Sequence, residues 1–253
     1  MKKRIILGLD VSTACTGVSI VSVDEEGKPH VEYIDMFKFK NSKKYHGTDA
    51  LFYKMEQFIE GFQKIHDFGF TDIVIEEPLP NSQNRNTLVS LLRFNGMLSQ
   101  YVWKATGVVP QYISSYNARR FAFPELLSVR KFNKAGEAYD DSHIRSALKK
   151  SEIVLFGNYA WDCAKKDIMW NLVSEHFPDI QWMYNKKGEL VKENFDASDS
   201  LVCILGYLNY EQHTDAEPVV ISVKKDTDKT GHTTYDYTFE FAGQTLDKKI
   251  TIF

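Results

Sequence analysis

The chain has 253 residues, 43% of them hydrophobic and 26% charged, enough to bury a core without disulfides or a structural metal. A net charge of −3 does not announce a nucleic-acid binder, so any such contact must come from locally clustered basic residues. No apolar run reaches the length of a membrane span, and three scattered cysteines, Cys15, Cys163 and Cys203, form no CxxC pair and no disulfide framework.

The opening MKKRIILGLDVST has a basic tip and a short apolar run, but Asp10 ends the run and no small-residue cleavage site follows. It reads as a first strand, Ile5 to Val11, of a protein expected in the cytoplasm. Ser-Thr-Ala-Cys-Thr-Gly reads as a turn, Val18 to Val23 as a second strand, and Val31 to Phe39 as a third after the turn at 24–29. Short turns between three strands predict an antiparallel meander. Leu51, Phe52, Met55, Phe58, Ile59, Phe62 and Ile65 then fall at helical spacing, and Gly69 ends that helix. Asp72 to Glu76 is a short buried strand. A helix from about Thr87 to Ala105 follows, then a strand from Val108 to Ile113. The order βββαβαβ predicts an α/β fold with a mixed five-stranded sheet and flanking helices.

Residues 124–163 read as a partly helical insertion. Helical period returns from Ala164 to Phe177, and a last helix opens at Asp196 and runs to about Glu211. The tail alternates like strands (Val219 to Val223, Tyr235 to Phe241, Ile250 to Phe253). The expected organisation is therefore a main domain over 1–213, carrying the insertion, and a β appendage over 214–253. Tyr101, Trp103 and the Phe-rich first helix are expected in the core.

Four acids stand in unusual places. Asp10 interrupts a strongly apolar strand, where a charge needs a partner. Glu76 ends DIVIE. Alternation puts it on the face of Val74, whereas Glu77 already enters the turn at Pro78. Asp196 and Asp199, at i and i+3, share one face of the first turn of the last helix. Each alone has a simpler explanation: turn amides of Thr13 or Thr16 for Asp10, a strand end for Glu76, helix capping for Asp196 and Asp199. Together they predict convergence, if the first and fourth strands are neighbours and the last helix packs across them. Hard oxygen ligands of this kind suit Mg²⁺, with Mn²⁺ as a substitute. Two such ions can clamp a phosphodiester. The seven histidines never form HxxxH, which speaks against zinc.

Three segments resemble one family. ILGLDVSTACTGVSIV is similar to the opening of RuvC-type Holliday junction resolvases of the RNase H-like superfamily, DIVIEEPLPNSQN to their second acidic motif, and FDASDSLVCILGYL to their closing Asp-x-x-Asp helix. The resemblance spans roughly residues 4–210. It implies an RNase H-like fold, and a phage-like or bacterial setting. It also implies a Mg²⁺-dependent endonuclease acting on branched DNA as a homodimer, with no nucleotide cofactor and no membrane. Asp10, Glu76, Asp196 and Asp199 would be the ligands of two ions. Lys166 matches a family lysine that approaches the scissile phosphate, with Lys165 as its rival. Where the family carries an aromatic wedge three residues after the second acid, this chain has Leu79. The helix from Thr87 to Ala105 is where related resolvases dimerise, and Gly96 permits close packing there.

Further DNA contacts are expected from Asn81, Gln83, Asn84 and Arg85, which follow Glu76, and from Arg119 and Arg120 at the end of the fifth strand. Lys38, Lys40, Lys43 and Lys44 form another basic group, as do Arg130, Lys131 and Lys134, and Lys186 and Lys187. Three other readings compete. A nuclease of the same fold could act on flaps, forks or RNA–DNA hybrids. A catalytically silent junction-binding protein would not need all four acids. An actin-like or sugar-kinase ATPase would need a second Gly-rich phosphate loop, which the sequence lacks.

Overall fold

The structure, a computed structural model, describes residues 3–78, 85–129, 133, 137–149, 153–154, 165–212 and 216–252. Strands β1 (Arg4–Val11), β2 (Cys15–Val23) and β3 (Pro29–Lys38) form the expected meander. Helix α1 (Gly47–Phe62) leads to β4 (Asp72–Glu76), then α2 (Arg85–Thr106) and β5 (Gln111–Ile113). The sheet order is β3-β2-β1-β4-β5. Strand β2 runs antiparallel to both its neighbours, and β1, β4 and β5 are mutually parallel. This is the mixed five-stranded sheet with flanking helices that the order of elements predicts.

Central strands buried on both faces need near-continuous apolar sequence, and β1 and β4 have it. Their alternation sorts two cores. Leu7, Leu9, Val11, Ile73 and Ile75 pack against Phe58 and Phe62 of α1 and Phe94, Leu98 and Val102 of α2. Ile6 and Val74 face the other side. There they meet α3 (Ser115–Ala122), α5 (Lys165–His176) and α6 (Asn194–Gln212), through Phe121, Ile168, Leu201 and Ile204. Among the described residues no helix is long and apolar enough to cross a membrane.

Several expectations change. The first hairpin is tighter: Cys15, Thr16 and Gly17 are not turn but already β2, and Asp10 pairs with Gly17. Strand β5 is shorter than expected because Pro110 supplies no backbone donor just before it. Helix α3 was hidden in sequence by its shortness. Ser114 caps it, accepting from the Asn117 amide at 3.2 Å. Trp103 and Phe52 are exposed rather than core, because they lie on the outer sides of α2 and α1.

The insertion and the tail pack on each other. The described part of the insertion holds β6 (Ser128–Val129), α4 (Asp141–Lys149) and β7 (Ile153–Val154). The tail is a meander of β8 (Val219–Thr227), β9 (Thr233–Phe241) and β10 (Gln244–Ile252). Val129 and Ile144 close over Tyr235, Tyr237, Phe239 and Ile250, and Lys225 bonds Asp141 at 2.9 Å.

Candidate active site

Leu9 pairs with Ile75 across the parallel β1–β4 ladder, and each is followed by its acid. Asp10 and Glu76 therefore end adjacent strands on the same face. The carboxyl ends of parallel strands are where open α/β sheets form crevices. A groove of about 270 Å³ lies here, lined by Asp10, Val11, Glu76, Glu77, Pro78, Thr87, Leu88 and Leu91.

Helix α6 brings the other two acids because glycine lets it approach. A Cβ on Gly8 would run into the backbone oxygen of Ser200, and one on Gly17 into that of Asp196. With no side chain at either position, the first turn of α6 rests on the β1–β2 hairpin. Gly206 repeats the device one layer out, where a Cβ would meet the backbone oxygen of Ala118 in α3. That contact sets Arg119 against Asp199, with Nη2 3.7 Å from Oδ1.

The helix opens at Asn194, not at Asp196. Buried Asn194 is bonded through its amide to both the N–H and the carbonyl of Met183, at 3.2 and 2.7 Å. Asp196 thus does not act as a cap. Its Oδ1 accepts from Lys166 Nζ at 2.9 Å and its Oδ2 from the Cys15 thiol at 2.8 Å. Lys166, the residue matched to the family lysine, reaches the acids from the first turn of α5.

The electrostatics are strained in one direction. Asp199 is buried, and Asp10 and Glu76 are half-buried. Burial, then the charges of Glu76, Asp199 and Asp196, push the Asp10 carboxyl well above the usual range. Burial and the Asp199 charge push Glu76 up to about 7. Asp199 is also raised, mainly by burial, against the pull of Arg119 and Lys166. Burial alone would lower Lys166, but its bond to Asp196 and the surrounding acids raise it. The Cys15 thiol is raised to about 12 by burial and by Asp196, so it stays protonated and donates.

Ionised together, the four carboxylates carry four negative charges. Lys166 and Arg119 bring two positive ones. Asp10 accepts no hydrogen bond among the described residues, so the turn amides of Thr13 and Thr16 do not satisfy it. An all-oxygen donor set, with half-buried Asp10 and Glu76 pushed toward their protonated forms, fits a hard divalent cation that would replace those protons. Among the described residues, however, no group of three or more His, Cys, Asp or Glu side chains is arranged as a metal cage. Both oxygens of Asp196 and Oδ1 of Asp199 are turned to Lys166, Cys15 and Arg119.

The other expected site residues divide. Arg85 and Lys165 are exposed, Arg85 at the start of α2, where Thr87 and Leu88 line the groove. Arg120 is turned away from the acids. It is buried, donates to the Ala216 carbonyl at 3.1 Å, pairs with Glu217, and lies over the rings of Phe121, Tyr116 and Phe241. On α3 consecutive residues point about 100° apart, so Arg119 faces the acids while Arg120 anchors the start of the tail. Leu79, Asn81, Gln83, Asn84, Arg130, Lys131, Lys134 and Cys163 lie outside the described residues.

Two thiols that the sequence reading does not place at the site border it: Cys15, on Asp196, and Cys203, whose sulfur lies 4.0 Å from Glu76 Oε2. The signal for Cys203 was present: it stands four residues after Asp199, on the same face of α6.

No protein-family model matches the sequence, and no curated protein matches it. Solved structures similar to the chain include RuvC of Thermus thermophilus in complex with a Holliday junction substrate, at 11% identity and a TM-score of 0.49, covering 82% of this chain and 95% of that one. Another structure of Thermus thermophilus RuvC is 13% identical with a TM-score of 0.47, over the same shares. The yeast mitochondrial Holliday junction resolvase Ydc2 is 13% identical with a TM-score of 0.45, over 81% of this chain and 78% of that one.

Proposed function

We propose that the chain is a divalent-metal-dependent endonuclease that cleaves four-way DNA junctions. The observation that carries this reading is the convergence of Asp10, Glu76, Asp196 and Asp199 from two strand ends and one helix, four carboxyls beside two cations, Lys166 and Arg119, with Asp10 and Glu76 pushed up by burial and by the neighbouring acids. Carboxyls raised by burial and by one another, at the edge of a groove, are the pattern of a functional site. The four acids would hold two Mg²⁺ ions, or Mn²⁺ in their place. When bound, the ions supply Lewis acidity toward water and phosphate oxygen for in-line hydrolysis.

The chain's own cations supply the rest. The Lys166 side chain is 53% exposed, so it can lean from Asp196 toward a phosphate oxygen without disturbing the core. Arg119 is more enclosed and fixes the orientation of Asp199. Pro78 and the first turn of α2 form the far wall of the groove, where a strand would pass.

A junction presents two symmetric strands, which two copies of one active site can cut in concert. Helix α2 offers the surface for such a homodimer. Val89, Leu92, Gly96, Ser99 and Trp103 recur at three- and four-residue steps along one stripe. Val89, Leu92 and Trp103 are 43%, 51% and 48% exposed, and a Cβ on Gly96 would meet open space.

The test is incubation of the protein in Mg²⁺ with a four-way junction, a flap, a duplex and an RNA–DNA hybrid, beside Asp10→Asn and Asp199→Asn. Paired symmetric nicks with 5′-phosphate ends are expected in the junction, and each variant should lose about a thousandfold in rate or more. Intact substrates with the wild type, or variants that cut as fast, overturn the proposal.

A further inference from the structure

The four acids would repel the phosphates on which they act, so the DNA needs basic contacts close by. Strand β3 ends beside the site: Lys38 is in register with Cys15, and the Phe39 amide donates to the Ala14 carbonyl at 2.9 Å. Helix α1 leans on the same turn through Lys54, whose Nζ donates to the Thr13 carbonyl at 2.6 Å. The connection between them, Lys40 to His46, therefore starts against the turn that follows Asp10.

That connection reads Lys-Asn-Ser-Lys-Lys-Tyr-His and contains no acid. Lys38, just before it, is neutralised by Glu193 at 2.6 Å. Lys40, Lys43 and Lys44 are exposed, and among the described residues no carboxylate pairs with them. The segment is also held in place. Gln57 accepts from the Lys40 amide at 2.7 Å and donates to its carbonyl at 3.2 Å. The Lys44 ammonium lies 5.2 Å from the centre of the Tyr45 ring, which packs on Tyr53 at 5.2 Å. A chain with net charge −3 thus concentrates three cations that have no carboxylate partner among the described residues on an anchored loop next to its acid cluster.

A run of lysines is most often a solvated face. Here the position beside the site, the lack of acidic partners and the fixed backbone together argue otherwise. We infer that Lys40, Lys43 and Lys44 form a second DNA contact, which takes the phosphate backbone of a duplex arm as it leaves the groove. The inference rests on the nuclease reading of the site for the identity of its ligand.

Neutralising phosphates releases counterions, so each lysine in contact steepens the dependence of binding on salt. The triple variant Lys40→Gln, Lys43→Gln, Lys44→Gln is compared with wild type by fluorescence anisotropy on a synthetic four-way junction in EDTA. The slope of log affinity against log salt should fall by about two to three. Between 50 and 200 mM salt (both ~), wild type should then lose about 40-fold more affinity than the variant. Thermal unfolding should be unchanged, since all three side chains are exposed.

Equal slopes and equal affinities overturn the inference, and if wild type still cuts junctions the nuclease reading stands without it. A variant that loses salt dependence while wild type cuts nothing sinks the nuclease reading and keeps the DNA contact. Absence of any DNA binding by wild type removes both.

Discussion

Strands β1 and β4 and helix α6 carry charged residues at both ends, and the two ends are built differently. At the start of the strands and the end of the helix, Arg4 donates Nε and Nη2 to the two oxygens of Asp72, at 3.0 and 2.9 Å, and Nη2 also reaches Glu211 at 2.6 Å. Thr71 and Tyr207 fill the remaining positions on Asp72. Burial works against ionised Asp72, yet Arg4 and Thr71 outweigh it and hold its carboxyl below the usual range. At the other end the same three elements present Asp10, Glu76, Asp196 and Asp199, and the pKa of Asp10, Glu76 and Asp199 goes up. One scaffold thus has an end where a cation outweighs burial and an end where burial and neighbouring acids raise the carboxyls.

Breaking the Arg4 end should have the largest effect on stability. Arg4→Ala leaves Asp72 part-buried without its cation. A fully buried pair would lose more, but the Arg4 side chain is 35% exposed, so about 2 kcal/mol is expected. That corresponds to a fall of about 4–8 °C in melting temperature, with the junction-cleavage rate unchanged below it. An unaltered melting curve would reduce the network to surface decoration. Asp72 also sets a sign for acid: its stabilisation is present above its unfolded pKa and is lost as pH falls through the lower folded value.

The acid end should respond to pH in the opposite sense. Glu76 is raised from 4.5 to about 7, so the folded state holds its proton more tightly. That contribution is fully present below the unfolded value and is lost as pH rises through about 7. Without metal, Glu76→Gln should therefore melt about 3–6 °C above wild type at about pH 8 and show no gain at about pH 4. Calorimetry in EDTA at the two pH values decides; an equal gain at both would mean that the carboxylate charge is not what strains this end.

The smallest effect sharpens the role of Cys15. Its thiol holds one oxygen of Asp196 while Lys166 holds the other. Cys15→Ala should raise the Mg²⁺ concentration for half-maximal cleavage about tenfold, the low end of what loss of a partner behind a ligand costs. Cys15→Ser keeps a donor and should restore it. Identical Mg²⁺ curves for all three proteins would show that Asp196 needs no such support.

Much of this was legible in sequence because it depends on near neighbours in the chain. Apolar alternation located β1 and β4 and put Glu76 on the face of Val74. The i, i+3 spacing put Asp196 and Asp199 together. The sites that misled are those where a distant segment decides. Cys15 to Gly17 read as a turn, since small polar residues are turn formers, but Thr16 and Gly17 pair with β1, Cys15 pairs with β3, and Gly17 lies under the backbone of α6. Arg119 and Arg120 looked equivalent. Only the packing of α3 between α6 and the tail sends one guanidinium to Asp199 and the other into a cage of aromatic rings.

The sequence by itself determined which side chains could serve as hard ligands and in what order strand, strand and helix would present them, because periodicity is local. Tertiary structure alone decided that they meet. Helix α6 reaches the sheet only where Gly8 and Gly17 leave room for its backbone, a close approach between residues nearly two hundred positions apart that no local pattern records. It also decided which cations answer the acids, Lys166 at Asp196 and Arg119 at Asp199.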